Sequence, residues 1–192
     1  MKTPELKRKL DSFGQEIVNL AKANLSAGGK GGGALEKSIR HEVVETEAGY
    51  DVEFYMLEYG AYQDKGVKGA GGTIKTGKNA GSWGGRRYFT TWKGERKDSP
   101  FQFGSGKGKK DGIYKGIESF IQRKGIRAVN KNSLKFAMVK TIWIKGMHGI
   151  SFFQSAVGQG MQDVRQDILE ALKVDIDKAL SPSIKWEFKI TI

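Results

Sequence analysis

The sequence predicts an α+β domain, an antiparallel sheet with helices packed on one face. Three patterns carry that expectation. In residues 183–192, Ile184, Trp186, Phe188, Ile190 and Ile192 alternate with Lys185, Glu187, Lys189 and Thr191, the period of a strand with one face on a core and the other in water. The same period recurs in residues 38–47 and 50–57, joined at Ala48 and Gly49 as a hairpin. Elsewhere apolar residues recur at three- and four-residue steps, the spacing of amphipathic helices. At roughly 1.5–3 kcal/mol for each large apolar side chain taken out of water, the C-terminal strand is expected to be fixed firmly in the sheet beside the hairpin.

A chain of 192 residues at 38% hydrophobic supports one core, and a single domain spanning residues 1–192 is expected. No run of about 18 apolar residues occurs, so no membrane-spanning helix is expected. Residues 1–9 are charged and lead into no apolar stretch, so no secretory signal is expected. The chain has no cysteine, which excludes disulfides and thiolate metal ligands and is compatible with a reducing compartment.

Taken in order, Thr3, Pro4 and Glu5 read as a helix start, with Thr3 as cap and Pro4 at the first helical position. Leu6, Leu10, Phe13, Ile17, Leu20 and Ala21 form its apolar stripe, and the glycines after Asn24 end it. Residues 34–39 lead into the hairpin. On the second strand Tyr50, Val52, Phe54 and Met56 share the inner face, while Tyr55 and Leu57 leave the outer face only partly polar. Residues 58–66 read as a short helical turn closing on Gly66.

From residue 67 to about 110 no period is sustained, which marks an extended, glycine-rich loop or arm. Beyond it, Asp111 to Lys124 reads as a helix stopped by Gly125, with Ile113, Ile117, Phe120 and Ile121 on one side. A second helix starts at Ser133 and ends at Lys145, with Leu134, Ala137, Met138, Thr141 and Ile142 inward. A third runs from about Ser151 to Leu180 with Phe153, Val157, Met161, Val164, Ile168, Leu172, Ile176 and Ala179 inward. Gly158 and Gly160 weaken its first half as sites for a break, and Pro182 separates the helix from the last strand.

The net charge of +12 favours contact with nucleic acid, an anionic surface or an acidic protein, without choosing among them; solvated lysines are the alternative. Catalytic constellations are harder to find. Gly72-Thr73-Ile74-Lys75-Thr76-Gly77-Lys78-Asn79 comes within one residue of a phosphate-binding P-loop, but Asn79 lacks the hydroxyl that holds magnesium, and glycine-rich sequence stands where the flanking strand and helix should be. His41 and His148 have no ligand spacing around them, and Ser105 lacks the strand-turn-helix setting of a nucleophile elbow. Neither enzymatic activity nor catalytic, cofactor or metal-binding residues are therefore expected.

The arm is the better candidate for binding. Trp83, Tyr88, Phe89, Trp92, Phe101 and Phe103 are interleaved with Arg86, Arg87, Lys93 and Arg96, and aromatic faces with cations between them suit nucleic acid. Arg86, Arg87, Lys107, Lys109 and Lys110 are the expected polyanion contacts. The competing reading is a satellite core of aromatics with a wet charged rim.

Several segments, in this order, carry a resemblance. They are the N-terminal amphipathic helix, Leu35-Glu36-Lys37-Ser38-Ile39, Glu58-Tyr59-Gly60-Ala61-Tyr62-Gln63-Asp64-Lys65-Gly66, Ser99-Pro100-Phe101-Gln102-Phe103-Gly104-Ser105-Gly106, Gln122-Arg123-Lys124-Gly125-Ile126, and Ile144-Lys145-Gly146-Met147-His148-Gly149-Ile150-Ser151-Phe152-Phe153. Together they span nearly the whole chain, which resembles the tail-completion, neck or head-tail joining proteins of tailed bacteriophages. The resemblance implies a structural virion protein that assembles in the host cytoplasm into a homo-oligomeric ring between portal and tail. Its partners would be further copies of itself and portal, adaptor or tail-tube proteins, with passing contact to genomic DNA and none to membrane. The long arm departs from the shorter versions of the family. In such a ring Trp83, Tyr88, Phe89, Trp92, Phe101 and Phe103 are expected to dock on an adjacent subunit or ring.

Overall fold

The computed structural model describes residues 3–47, 49–103 and 111–180. The expected strand at residues 183–192, together with Ser105, Lys107, Lys109 and Lys110, lies outside the described residues. The fold is α+β. Its order is α1 (Pro4–Ala27), α2 (Ala34–Ser38), β1 (Arg40–Thr46), β2 (Gly49–Tyr55), α3 (Tyr59–Lys65), β3 (Val67–Lys68), β4 (Gly72–Ile74), β5 (Gly81–Trp83), β6 (Tyr88–Thr90), β7 (Arg96–Asp98), α4 (Asp111–Arg123), α5 (Lys131–Lys145), β8 (Gly146–Met147) and α6 (Phe152–Leu180). Among the described residues every sheet is a two-stranded antiparallel pair: β1 with β2, β3 with β8, β4 with β5, and β6 with β7. No helix among them is long and apolar enough to cross a membrane.

By its contacts the chain gathers into two compact units. One is Met1–Leu57 with Phe152–Ile192, and the other is Glu58–Ser151.

The first unit is built on α1 and α6. They run antiparallel: Asn24 Nδ2 donates to the Phe152 carbonyl at 3.1 Å at one end, and Lys9 Nζ meets Asp167 Oδ2 at 3.1 Å further along. At the far end Lys178 Nζ meets Glu5 Oε1 at 3.1 Å. The seam is made of small residues. Ala21 and Ala156 are buried, and a Cβ on Gly160 would stand 2.4 Å from Ile17 Cδ1, so the helices approach where side chains are absent. This corrects the expected face of α6. The covered residues are Phe152, Ala156, Gly160, Val164, Ala171 and Asp175, one position before much of the larger apolar stripe, and the helix passes through Gly158 and Gly160 unbroken.

The start of α1 also differs from expectation. Thr3 makes no side-chain capping bond. Pro4 has no N–H to satisfy, the Glu5 and Leu6 amides donate to Asp175 Oδ1 and Oδ2 at 3.1 and 2.9 Å, and the Lys7 amide donates to the Thr3 carbonyl at 3.0 Å. The other end closes on Gly29 (φ +70), with Gly29 N donating to the Ser26 carbonyl and Lys30 N to the Leu25 carbonyl, a Schellman closure.

The hairpin packs on α1 through its inner face. His41 stands opposite Phe54, Val43 opposite Val52, and the Phe54 ring meets Phe153 edge-on at 5.4 Å. The His41 imidazole lies over Gly14 and bonds Asp11 Oδ1 at 3.0 Å.

The second unit contains the expected arm, which is threaded through backbone hydrogen bonds. Lys68 N donates to the Phe101 carbonyl and Phe103 N to that of Lys68; Gly69 N donates to Gly85, Ala70 N to Trp143 and Gly71 N to Ile144. At two of the glycines there is no room for a Cβ. A Cβ on Gly69 would lie 2.1 Å from the Ile144 oxygen, and one on Gly146 (φ +80) 2.3 Å from the Val67 oxygen. The glycines that read as chain flexibility therefore allow backbone to touch backbone. Ser99, 1% exposed, pins the same region: its hydroxyl donates to the Gly66 carbonyl at 2.8 Å and accepts from Phe101 N at 3.2 Å.

Of the remaining helices, α3 ends at Gly66 as expected, and α4 closes at Gly125 by the same two bonds as α1, Gly125 N to Gln122 and Ile126 N to Ile121. Helix α5 starts before Ser133, because Asn130 Oδ1 caps it by accepting from Ser133 N at 3.0 Å. Its buried side chains are Val139 and Ile144 rather than the expected set.

Candidate functional site

The residues expected to bind a partner divide. Phe101 meets Tyr62 edge-on at 4.6 Å and Phe103 stacks on Trp143 at 5.6 Å, so these two contribute to the second unit's own packing. Tyr88 and Phe89 on β6 are half-buried, with the Arg96 guanidinium 4.1 Å from the centre of the Tyr88 ring and Lys65 Nζ 5.9 Å from that of Phe89. Trp83 and Trp92 are the exposed members; Lys145 Nζ lies 3.4 Å from the Trp83 ring centre and Lys93 Nζ 5.0 Å from that of Trp92.

The P-loop-like string folds as part of the β4–β5 hairpin. Asn79, the residue that breaks the motif, accepts from Trp83 Nε1 through its carbonyl at 3.2 Å and from Lys145 Nζ through Oδ1 at 2.8 Å. Its polar atoms thus hold the hairpin to α5. Among the described residues no group of three or more His, Asp or Glu is placed to hold a metal ion.

Arg86 and Arg87 do converge on a concavity. With Tyr88, Phe89, Thr90, Arg96, His148, Gly149 and Ser151 they line an open cleft of about 380 Å³. Its walls are cross-tied, since Thr90 N donates to Ser151 Oγ at 3.1 Å and Ser151 N to the Asp64 carbonyl at 2.9 Å. Ser151 sits at φ +49, and a Cβ on Gly149 would be 2.5 Å from the Asp64 oxygen, so this wall has little freedom to move. Arg87 Nη1 donates to the Arg86 carbonyl at 2.7 Å, while its Nε is buried with no acceptor among the described residues. Burial lowers the pKa of this guanidinium below the ordinary arginine value. Arg96 was legible as one of the cations between the aromatics; His148 was not, because it is far away in sequence and reads as a turn residue.

In the first unit the conspicuous surface is α6. Met161, Leu169 and Ile176 are 43%, 62% and 40% exposed, and Leu172 is half-buried among them. At 3.6 residues per turn these four fall within about 80° of one another, an apolar stripe beside the face that packs on α1. The chain matches no protein-family model, no curated protein and no solved structure.

Proposed function

We propose that this chain is a structural virion protein of a tailed bacteriophage, forming a homo-oligomeric ring at the neck or head-tail junction. It assembles in the host cytoplasm and meets portal, adaptor or tail-tube proteins. The observation that carries this reading is the stripe of exposed Met161, Leu169 and Ile176, with half-buried Leu172 among them, on a 29-residue helix. Large apolar side chains clustered on one exposed face are stabilised by a second surface, and a further copy of the chain supplies one at every step around a ring. The ordered segments that resemble the head-tail joining family support the same reading, with exposed Trp83 and Trp92 as further anchors. A second reading, a basic nucleic-acid-binding module, draws on the net charge of +12 and on Arg86 and Arg87 in the cleft.

Native mass spectrometry of the protein, alone and mixed with portal and tail proteins, tests the proposal. The expected result is a closed oligomer that Leu169→Glu with Ile176→Glu reduces to monomer without loss of helical circular dichroism. A protein that stays monomeric at every concentration and binds no virion component overturns it.

A further inference from the structure

We propose that the cleft walled by Arg86, Arg87, Arg96 and His148 is a phosphate-binding site, taking free phosphate or a phosphodiester of nucleic acid. The inference does not depend on the ring. Three guanidiniums and an imidazole line one concavity, and no Asp or Glu is among its described lining residues. Among the described residues none of the three arginines makes an ion pair. Arginine offers a planar fork of donors that matches the oxygens of an oxyanion, so clustering it without counter-charge leaves a position that an anion fills favourably.

Arg87 sharpens the point. Its guanidinium is partly desolvated; among the described residues one nitrogen is bound to a neutral carbonyl and another, Nε, has no acceptor. Such a group is stabilised by an arriving negative charge more than a fully hydrated one is. Two features favour phosphate over other anionic groups. Three formal positive charges suit a phosphate better than a single carboxylate. The Tyr88 and Phe89 rings already have Arg96 and Lys65 over a face, so the cleft is furnished for charge rather than for stacking a base. Its volume of about 380 Å³ is ample, and the ties from Thr90 and Asp64 to Ser151 hold the walls in place before any ligand arrives.

The full chain is titrated with inorganic phosphate by calorimetry and with a fluorescein-labelled short oligodeoxythymidylate by anisotropy over a range of salt. An oligoglutamate of equal length serves as the carboxylate probe. Arg87→Gln with Arg96→Gln is expected to lower affinity for the phosphate probe by about tenfold or more. With the oligonucleotide it is also expected to flatten the slope of log K against log salt by about 0.7 for each phosphate that is no longer neutralised. Loss confined to inorganic phosphate identifies free phosphate as the ligand, and loss with the oligonucleotide identifies the phosphodiester. Arg96→Gln alone, at an exposed position of β7, provides the test if the double variant misfolds. The proposal is overturned if the unmodified protein binds neither phosphate probe, or if the variants keep full affinity. It is also overturned if Lys30→Gln with Lys37→Gln, outside the cleft, gives an equal loss, or if oligoglutamate binds as tightly as the oligonucleotide.

Discussion

The carboxylate of Asp175 caps the helix that begins at Pro4, taking the Leu6 amide on Oδ2 at 2.9 Å and the Glu5 amide on Oδ1 at 3.1 Å. An N-cap side chain usually comes from the residue just before the helix and satisfies one such donor. Here a residue 170 positions away from Glu5 satisfies two, and brings a negative charge to the positive end of the helix dipole.

Asp175→Ala leaves both amides without their acceptor and is expected to cost about 1–2 kcal/mol, near the upper range for a lost cap. Asp175→Asn keeps one oxygen and should fall between the two. Urea unfolding midpoints of the three proteins check the order. Equal stability of Asp175→Ala and wild type would mean that the cap contributes nothing.

Glu5 adds a pH dependence. Its hydrogen bond from Lys178, followed by that from Arg8, holds the carboxyl below its usual value of 4.5. A depressed carboxyl pKa contributes stability that is present above the usual value and lost as pH falls through the folded one. The advantage of wild type over Glu5→Gln should therefore be present at neutral pH and vanish in acid. Thermal midpoints of both proteins across that range measure it, and an advantage that grows toward low pH contradicts the assignment.

Gly14 lies within α1, where replacing glycine by alanine normally stabilises by up to about 1 kcal/mol. Here the new Cβ would stand 2.2 Å from His41 Cδ2. Gly14→Ala is expected to destabilise by roughly 1–3 kcal/mol, as overpacking does. In a His41→Ala background the same change should become neutral or stabilising, and a double-mutant cycle by calorimetry reads that coupling.

Gly146→Ala sets a side chain at φ +80 and 2.3 Å from the Val67 oxygen. Strain of about 1–3 kcal/mol from the backbone conformation, with the collision added, should open the junction where β3 meets β8. Hydrogen exchange at the amides of Ala70 and Gly71, which donate to Trp143 and Ile144, should accelerate while that at Leu6 does not.

Periodicity and local punctuation carried α1, the β1–β2 hairpin, α3 and the α4 stop at Gly125, because the physics of each resides in a few neighbouring residues. The inner face of α6 was less legible. Bulk points to Met161 and Ile176, whereas close approach to α1 selects Ala156 and Gly160. Asp175 resembles any other acid on a polar face until α1 is laid beside it. Gly66, Gly69 and Gly85 signal looseness by composition and become contact points only once the backbone at Met147, Ile144 and Gly69 itself is brought against them. In the cleft, Arg86 and Arg87 were marked by their aromatic neighbours, while His148 joins them only through folding.

The unit that contains α1 is drawn from both ends of the chain, and this sets a timetable for its making. A ribosome releases Glu5 long before Asp175 exists, a wait of roughly ten to thirty seconds at about 5–20 residues per second. During that interval the Glu5–Ser151 stretch already contains every residue of the second unit, which is free to close first. A nascent product broken off before α6 carries Ile17 and Ala21 without that helix's cover and two bare amides at the start of α1, the kind of exposed, unfinished surface on which cellular quality control acts.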